Sequence, residues 1–167
     1  MKKKHKIIIL FRGTNIDRSF IKKKELMCEL CKDLKENLKS NKDNNYTILD
    51  YIGPACAPPN KKNNKKKPLK LTLSMIIAAT TGVIGENNML FNVKTAYQDI
   101  LQTIDKFDRN NIEITIIGHS RGAIQAFMLA NKLYNDKETQ NIGINIIALD
   151  PVPGPITPKS AKYIENN

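Results

Sequence analysis

Short aliphatic runs alternate along this chain with segments in which apolar residues recur at helical spacing. Residues 6–11 (Lys-Ile-Ile-Ile-Leu-Phe) are continuously apolar after the lysine, the pattern of a strand buried on both faces of a parallel sheet. Residues 46–52, 112–117 and 144–149 read as three further strands. Between the first two lies a predicted helix over residues 20–39, with Leu26, Leu30, Leu34 and Leu38 joined by Met27 and Cys31 on one face. Asp17 or Ser19 can cap it. A second helix is predicted over residues 92–107, burying Val93, Tyr97, Ile100, Leu101, Ile104 and Phe107. A third covers residues 123–134. Strand and helix therefore alternate throughout, which predicts an α/β fold: a three-layer sandwich around a mostly parallel sheet.

Other segments interrupt this order. Residues 41–45 form a polar break, and residues 54–68 differ in kind, with prolines at 54, 58, 59 and 68 around a run of lysine and asparagine from 61 to 67. Such a composition does not pack, so an exposed loop is expected, serving as a lid, a lipid-contacting arm or a surface insertion. Residues 69–79 are ambiguous: Leu69, Leu71, Leu73 and Met75 alternate as in a strand, while residues 75–79 suit a short helix. Gly82 and Gly85 mark turns before the second long helix, and residues 156–167 hold no clear element. The sequence shows no internal repeat.

At 167 residues the chain is read as one domain. Its net charge of +11 comes almost entirely from lysine, the arginines being Arg12, Arg18, Arg109 and Arg121. A surface of this kind is either simply solvated or attracts anionic partners such as phospholipid headgroups or nucleic acid; of these an anionic membrane surface is expected and nucleic acid is not. Cys28, Cys31 and Cys56 form no even framework, so free thiols are expected. Cys28 and Cys31 have Cys-x-x-Cys spacing, but within a helical pattern and without a second ligand pair, which makes them packing residues rather than a metal site. No metal or cofactor is called for. The basic start Met1-Lys2-Lys3-Lys4-His5-Lys6 mimics a signal peptide, yet the apolar run behind it stops at Arg12. No segment is long enough to span a membrane. The expected location is the cytoplasm, or outside the cell by a route without a cleaved signal. The oligomeric state stays open.

The chemistry gathers around Gly118-His119-Ser120-Arg121-Gly122, placed between a β-branched run and a helical one. Gly-x-Ser-x-Gly in that context is a nucleophile elbow, whose flanking glycines make room for a strained serine. Ser120 is the candidate nucleophile. The N–H of Arg121 is one oxyanion donor by construction of the elbow, and Gly13-Thr14, at the end of the first strand, is placed to supply a second. The Arg121 side chain either binds an anionic group or ties the loops together. Asp150 ends the strand after the elbow helix and is the candidate acid, its competing role being to cap its own turn. Only His5 and His119 are available as base. His119 adjoins the nucleophile and points elsewhere, and His5 begins the first strand, roughly 20 Å from the opposite edge. The chain thus carries a nucleophile and an acid without the histidine that would join them.

Four segments resemble an α/β-hydrolase family of bacterial serine esterases and phospholipases that includes effectors of the type VI secretion system. Phe11-Arg12-Gly13-Thr14-Asn15 is similar to that family's Phe-Asp-Gly-Thr-x-Asn opening, and Gly118-His119-Ser120-Arg121-Gly122-Ala123 to its nucleophile motif. The segment Ala148-Leu149-Asp150-Pro151-Val152-Pro153-Gly154-Pro155 is similar to its acid-bearing turn, and the glycines at 82 and 85 to its glycine-rich stretch. The resemblance implies Ser120 as nucleophile, Asp150 as acid, Gly13-Thr14 near the oxyanion and an ester or phospholipid as substrate. It also implies an incomplete hydrolase domain over residues 1–167, truncated before the histidine, with Arg12 standing in place of the family's aspartate. Two functions follow as expectations. One is a serine esterase or lipase, a fragment or degenerate copy that lacks its base. The other is a non-catalytic α/β module that binds an anionic surface or a protein partner, as a secreted effector would. Phosphate binding by the Gly13 loop is disfavoured, since neither a Walker lysine nor Gly-x-Gly-x-x-Gly follows the strand.

Overall fold

The structure is a computed structural model that describes residues 4–13, 26–40, 45–53 and 89–152. The expectations for Thr14, for the helix cap and residues 20–25, for the lysine-rich loop and residues 69–88, and for residues 153–167 lie outside the described residues.

Among the described residues, four strands form one parallel sheet: β1 (His5–Phe11), β2 (Tyr46–Tyr51), β3 (Ile112–His119) and β4 (Gly143–Leu149), in the order β2-β1-β3-β4. The chain steps outward from β1 to β2, crosses back over β1 to β3 and continues to β4. Its direction therefore reverses between β1 and β3, the place where open α/β sheets leave a crevice beyond their C-terminal strand ends. Pairing of Phe11 with Gly118 sets those two ends level.

Alternation along β1 supplies both faces of the sheet. Ile7, Ile9 and Phe11 point with Ile112, Ile114 and Ile116 into a core closed by α2 (Met89–Ile104) and α3 (Arg121–Asn135). Leu10 points the other way, with Ile117, onto Met27 and Cys31 of α1 (Leu26–Ser40). Ile9, Ile100, Ile114 and Leu129 are wholly buried, so truncating any one to alanine would cost about 2–5 kcal/mol. Helices on both faces of a parallel sheet make the chain an α/β protein.

The element bounds differ from the sequence reading in ways with local causes. Leu26 is exposed (57%), while Met27 and Cys28 take the buried positions of α1. α2 ends at Ile104 instead of running to residue 107; the Phe107 N–H bonds to the Ile104 carbonyl in a tight turn (3.0 Å). Phe107 is consequently not a helix-core residue, and stacks on His5 with ring centroids 3.7 Å apart. A short 3-10 turn, Arg109–Asn111, then leads into β3, the Asp108 carboxylate accepting from the Asn110 N–H and from the Asn111 side-chain amide. β4 is aliphatic but lies last in the sheet order, which leaves Ile146 and Ile147 exposed.

Candidate active site

Strand β3 and helix α3 are separated by one residue, Ser120, whose backbone stands at φ 56°, ψ −123°. A positive φ at a residue with a side chain costs on the order of 1–3 kcal/mol, and persists only where the surroundings over-determine it. Here they do. The Ser120 N–H donates to the Leu149 carbonyl at 2.9 Å. The Ser120 carbonyl accepts from Ala123 at 3.0 Å and from Val152 at 3.4 Å. The sharp reversal also requires both flanking glycines. A Cβ at Gly118 would overlap the Gly122 carbonyl, and a Cβ at Gly122 would overlap the carbonyl of Phe11. The start of α3 is thus pressed against the ends of β3 and β1 together.

Asp150 follows β4 directly and has φ 45°; among the described residues, it and Ser120 are the non-glycine residues with positive φ. The hydrogen bonds from Ser120 to Leu149 and from Val152 to Ser120 bracket Asp150 on either side, so the acid-bearing turn is fastened to the serine's own main chain. Asp150 is exposed. Ser120, half-buried, occupies the same end of the sheet.

Arg121 is buried in the first turn of α3, and that burial lowers the pKa of its guanidinium. It lies on the α3 stripe that also carries Gln125 and Lys132, and Lys132 stacks over the ring of Tyr97 from α2 at 4.4 Å. Arg121 stands at the head of that stripe. Its N–H opens the helix immediately after Ser120, where a helix N-terminus favours negative charge.

Neither histidine is placed as a base for Ser120. His5 occupies the opposite end of β1, paired with Ile112; its Nε2 lies 2.9 Å from the Thr47 hydroxyl and burial lowers its pKa. His119 is the last residue of β3 and alternates with Gly118, on the α1 side of the sheet.

Gly13 follows β1 at the same edge of the sheet at which Gly118 leads into Ser120. What holds its turn was missed in the sequence. Arg12 is buried (1% exposed) and points into the α1 layer, where it makes a bidentate pair with Asp50 of β2, Nε to Oδ1 at 3.0 Å and Nη2 to Oδ2 at 2.7 Å. Its remaining nitrogen, Nη1, donates to the Cys28 thiol at 3.0 Å. Burial alone would lower the guanidinium's pKa; the adjacent Asp50 carboxylate outweighs it and holds the pKa above its ordinary value. Lys35 adds a weaker contact to Asp50 at 3.8 Å. The signal was present: Asp50 is a charge inside an aliphatic strand, and Arg12 a charge at the end of another.

Cys28 and Cys31 are both buried free thiols, and burial raises the pKa of Cys31.

A strained serine between strand and helix, bracketed by glycines that cannot be larger, is the strand-turn-helix geometry that the Gly-x-Ser-x-Gly pattern leads one to expect. The family model for class 3 lipases matches residues 8–151. This chain belongs to the class 3 lipase family. The match runs from β1, through the elbow, to the residue after Asp150. Membership makes it a lipase- or esterase-type hydrolase domain by family and points to a lipid or other ester as substrate. Among curated proteins, no sequence matches this chain.

Proposed function

We propose that Ser120 is the nucleophile of a lipid-ester hydrolase, with Asp150 as its acid and the N–H groups of Arg121 and of the Gly13-Thr14 turn as oxyanion donors. The observation that carries this reading is the Ser120 backbone: a strained φ of 56° is kept at a half-buried serine that immediately precedes a helix N-terminus. In the reaction, the Ser120 oxygen adds to the ester carbonyl and its proton must pass to a base. The carbonyl oxygen becomes an oxyanion facing the two amides. Collapse expels the alcohol and leaves an acyl-serine, which water then hydrolyses.

The 167 residues contain no histidine placed to take that proton. Loss of the histidine base from a serine triad costs on the order of 10⁶ in kcat, while oxyanion and binding contributions survive. The chain alone is therefore a slow hydrolase whose deficit is a base. A phospholipid is the ester class that the basic surface favours.

Chemical rescue tests this. Hydrolysis of a p-nitrophenyl ester should be slow for the chain alone and rise with added imidazole beyond imidazole's own reaction, and the increment should vanish in Ser120→Ala. An increment that survives in Ser120→Ala would remove Ser120 from the role.

A further inference from the structure

The residues leading into the turn beside Ser120 are gripped from three sides. Gly53, after β2, lies so close that a Cβ there would overlap the Gly13 carbonyl. Gly122, in the first turn of α3, leaves no room for a Cβ against the carbonyls of Phe11 and Arg12. The Arg12 N–H donates to the Tyr51 carbonyl at 3.3 Å, continuing the β1–β2 ladder one residue past the strands. These contacts fix the Gly13 turn laterally. The Arg12 side chain fixes it against the layer beneath: three guanidinium nitrogens are engaged, two on Asp50 and one on Cys28.

A planar fork held at three atoms restrains both position and rotation, which a lysine ammonium cannot do. The residue so restrained is the immediate neighbour of Gly13, whose amide an oxyanion would meet. An amide that contributes to an oxyanion hole must stand within a few tenths of an ångström of its place before reaction, since its value lies in preorganisation. We infer that Arg12, clamped by Asp50, is a positioning residue that fixes the Gly13 turn beside Ser120; this rests on the reading of Ser120 as nucleophile. Arg12 touches no reacting atom and acts through its own backbone.

The test compares wild type with Asp50→Asn, Arg12→Lys and the double replacement Arg12→Met with Asp50→Leu. The double replacement guards against unfolding, because exchanging a buried ion pair for apolar residues of similar volume is often neutral for stability. Two quantities are read in each: the Gly13 amide order parameter by NMR, and the rate at which a fluorophosphonate modifies Ser120 with imidazole present. The expectation is a rigid Gly13 amide in wild type, near 0.85, that falls below about 0.6 in the variants while Ile9 and Ile100 stay rigid. Modification of Ser120 should slow at least about tenfold in the same proteins, including a double variant that melts where wild type does. A purely structural pair predicts otherwise: the double variant would restore both stability and reactivity, and Gly13 would stay rigid, which overturns the inference. Wild type that takes no label even with imidazole would overturn the hydrolase reading instead, and Gly13 mobility would still decide whether the pair holds the turn.

Discussion

The N–H of Ser120 donates to the carbonyl of Leu149 at 2.9 Å, so the strained serine and the strand that delivers Asp150 are joined through their main chains. The contact spans β3 and β4 at the C-terminal edge of the sheet. It means that the backbone geometry at Ser120 and Asp150 is set by main-chain hydrogen bonds in the first instance. Side chains at 120 and 150 can therefore be altered without dissolving the turn.

That makes Ser120→Gly informative. Glycine adopts positive φ without the steric cost, so the variant should gain about 1 kcal/mol in stability, less its own loss of chain entropy. Urea denaturation should show a higher midpoint with an unchanged slope. Ser120→Ala, which keeps the strain, should leave the midpoint near that of wild type.

Gly122→Ala should do the reverse. The added methyl would overlap the Phe11 carbonyl, a backbone atom in the central strand that cannot swing aside. Overpacking of this kind costs about 1–3 kcal/mol, and here α3 must also move away from β1. The urea midpoint should fall, and Ser120 reactivity should fall with it.

Removing one member of the buried pair should be severe. Asp50→Ala leaves the Arg12 guanidinium buried with one neutral thiol contact, and stranding a buried charge costs about 3–5 kcal/mol. In a domain whose total stability is on the order of 10 kcal/mol, such a variant should melt well below wild type. Arg12→Met combined with Asp50→Leu should recover most of that loss.

His5 gives the fold a sensitivity to mild acid. Burial lowers its folded-state pKa below the unfolded value of about 6.5, so the unfolded state binds a proton first as pH falls. The stability that its neutral form contributes is fully present above the unfolded pKa. It is lost as pH drops from there through the folded pKa. The urea midpoint should decline over that window, and His5→Gln should flatten the decline. A midpoint slope identical in the two proteins would remove His5 as its source.

Much of the fold was legible because it rests on periodicity. The continuous aliphatic run at β1, the isoleucines of β3 and the helical spacing of α2 and α3 reflect burial, and burial is what composition along a chain records. The elbow was legible because its glycines answer a steric need that only glycine meets. Several features were not. Arg12 and Asp50 are 38 residues apart, and only the pairing of β1 with β2 brings them together. Gln125, wholly buried in α3 and without a hydrogen-bond partner among the described residues, follows an amphipathic pattern that would place a glutamine outside. Exposure of Ile147 reflects the position of β4 at the end of the strand order, which no local pattern encodes. Long-range pairing decides all three.

The account stands on Ser120 as the nucleophile, and one measurement tests that most directly. The protein is treated with a fluorophosphonate in the presence of imidazole, digested, and the modified peptide identified by mass spectrometry. The account predicts modification on the peptide that contains Ser120, absent in Ser120→Ala and slowed in Gly122→Ala. A folded wild-type protein that carries the label on another residue, or none at all, would contradict it.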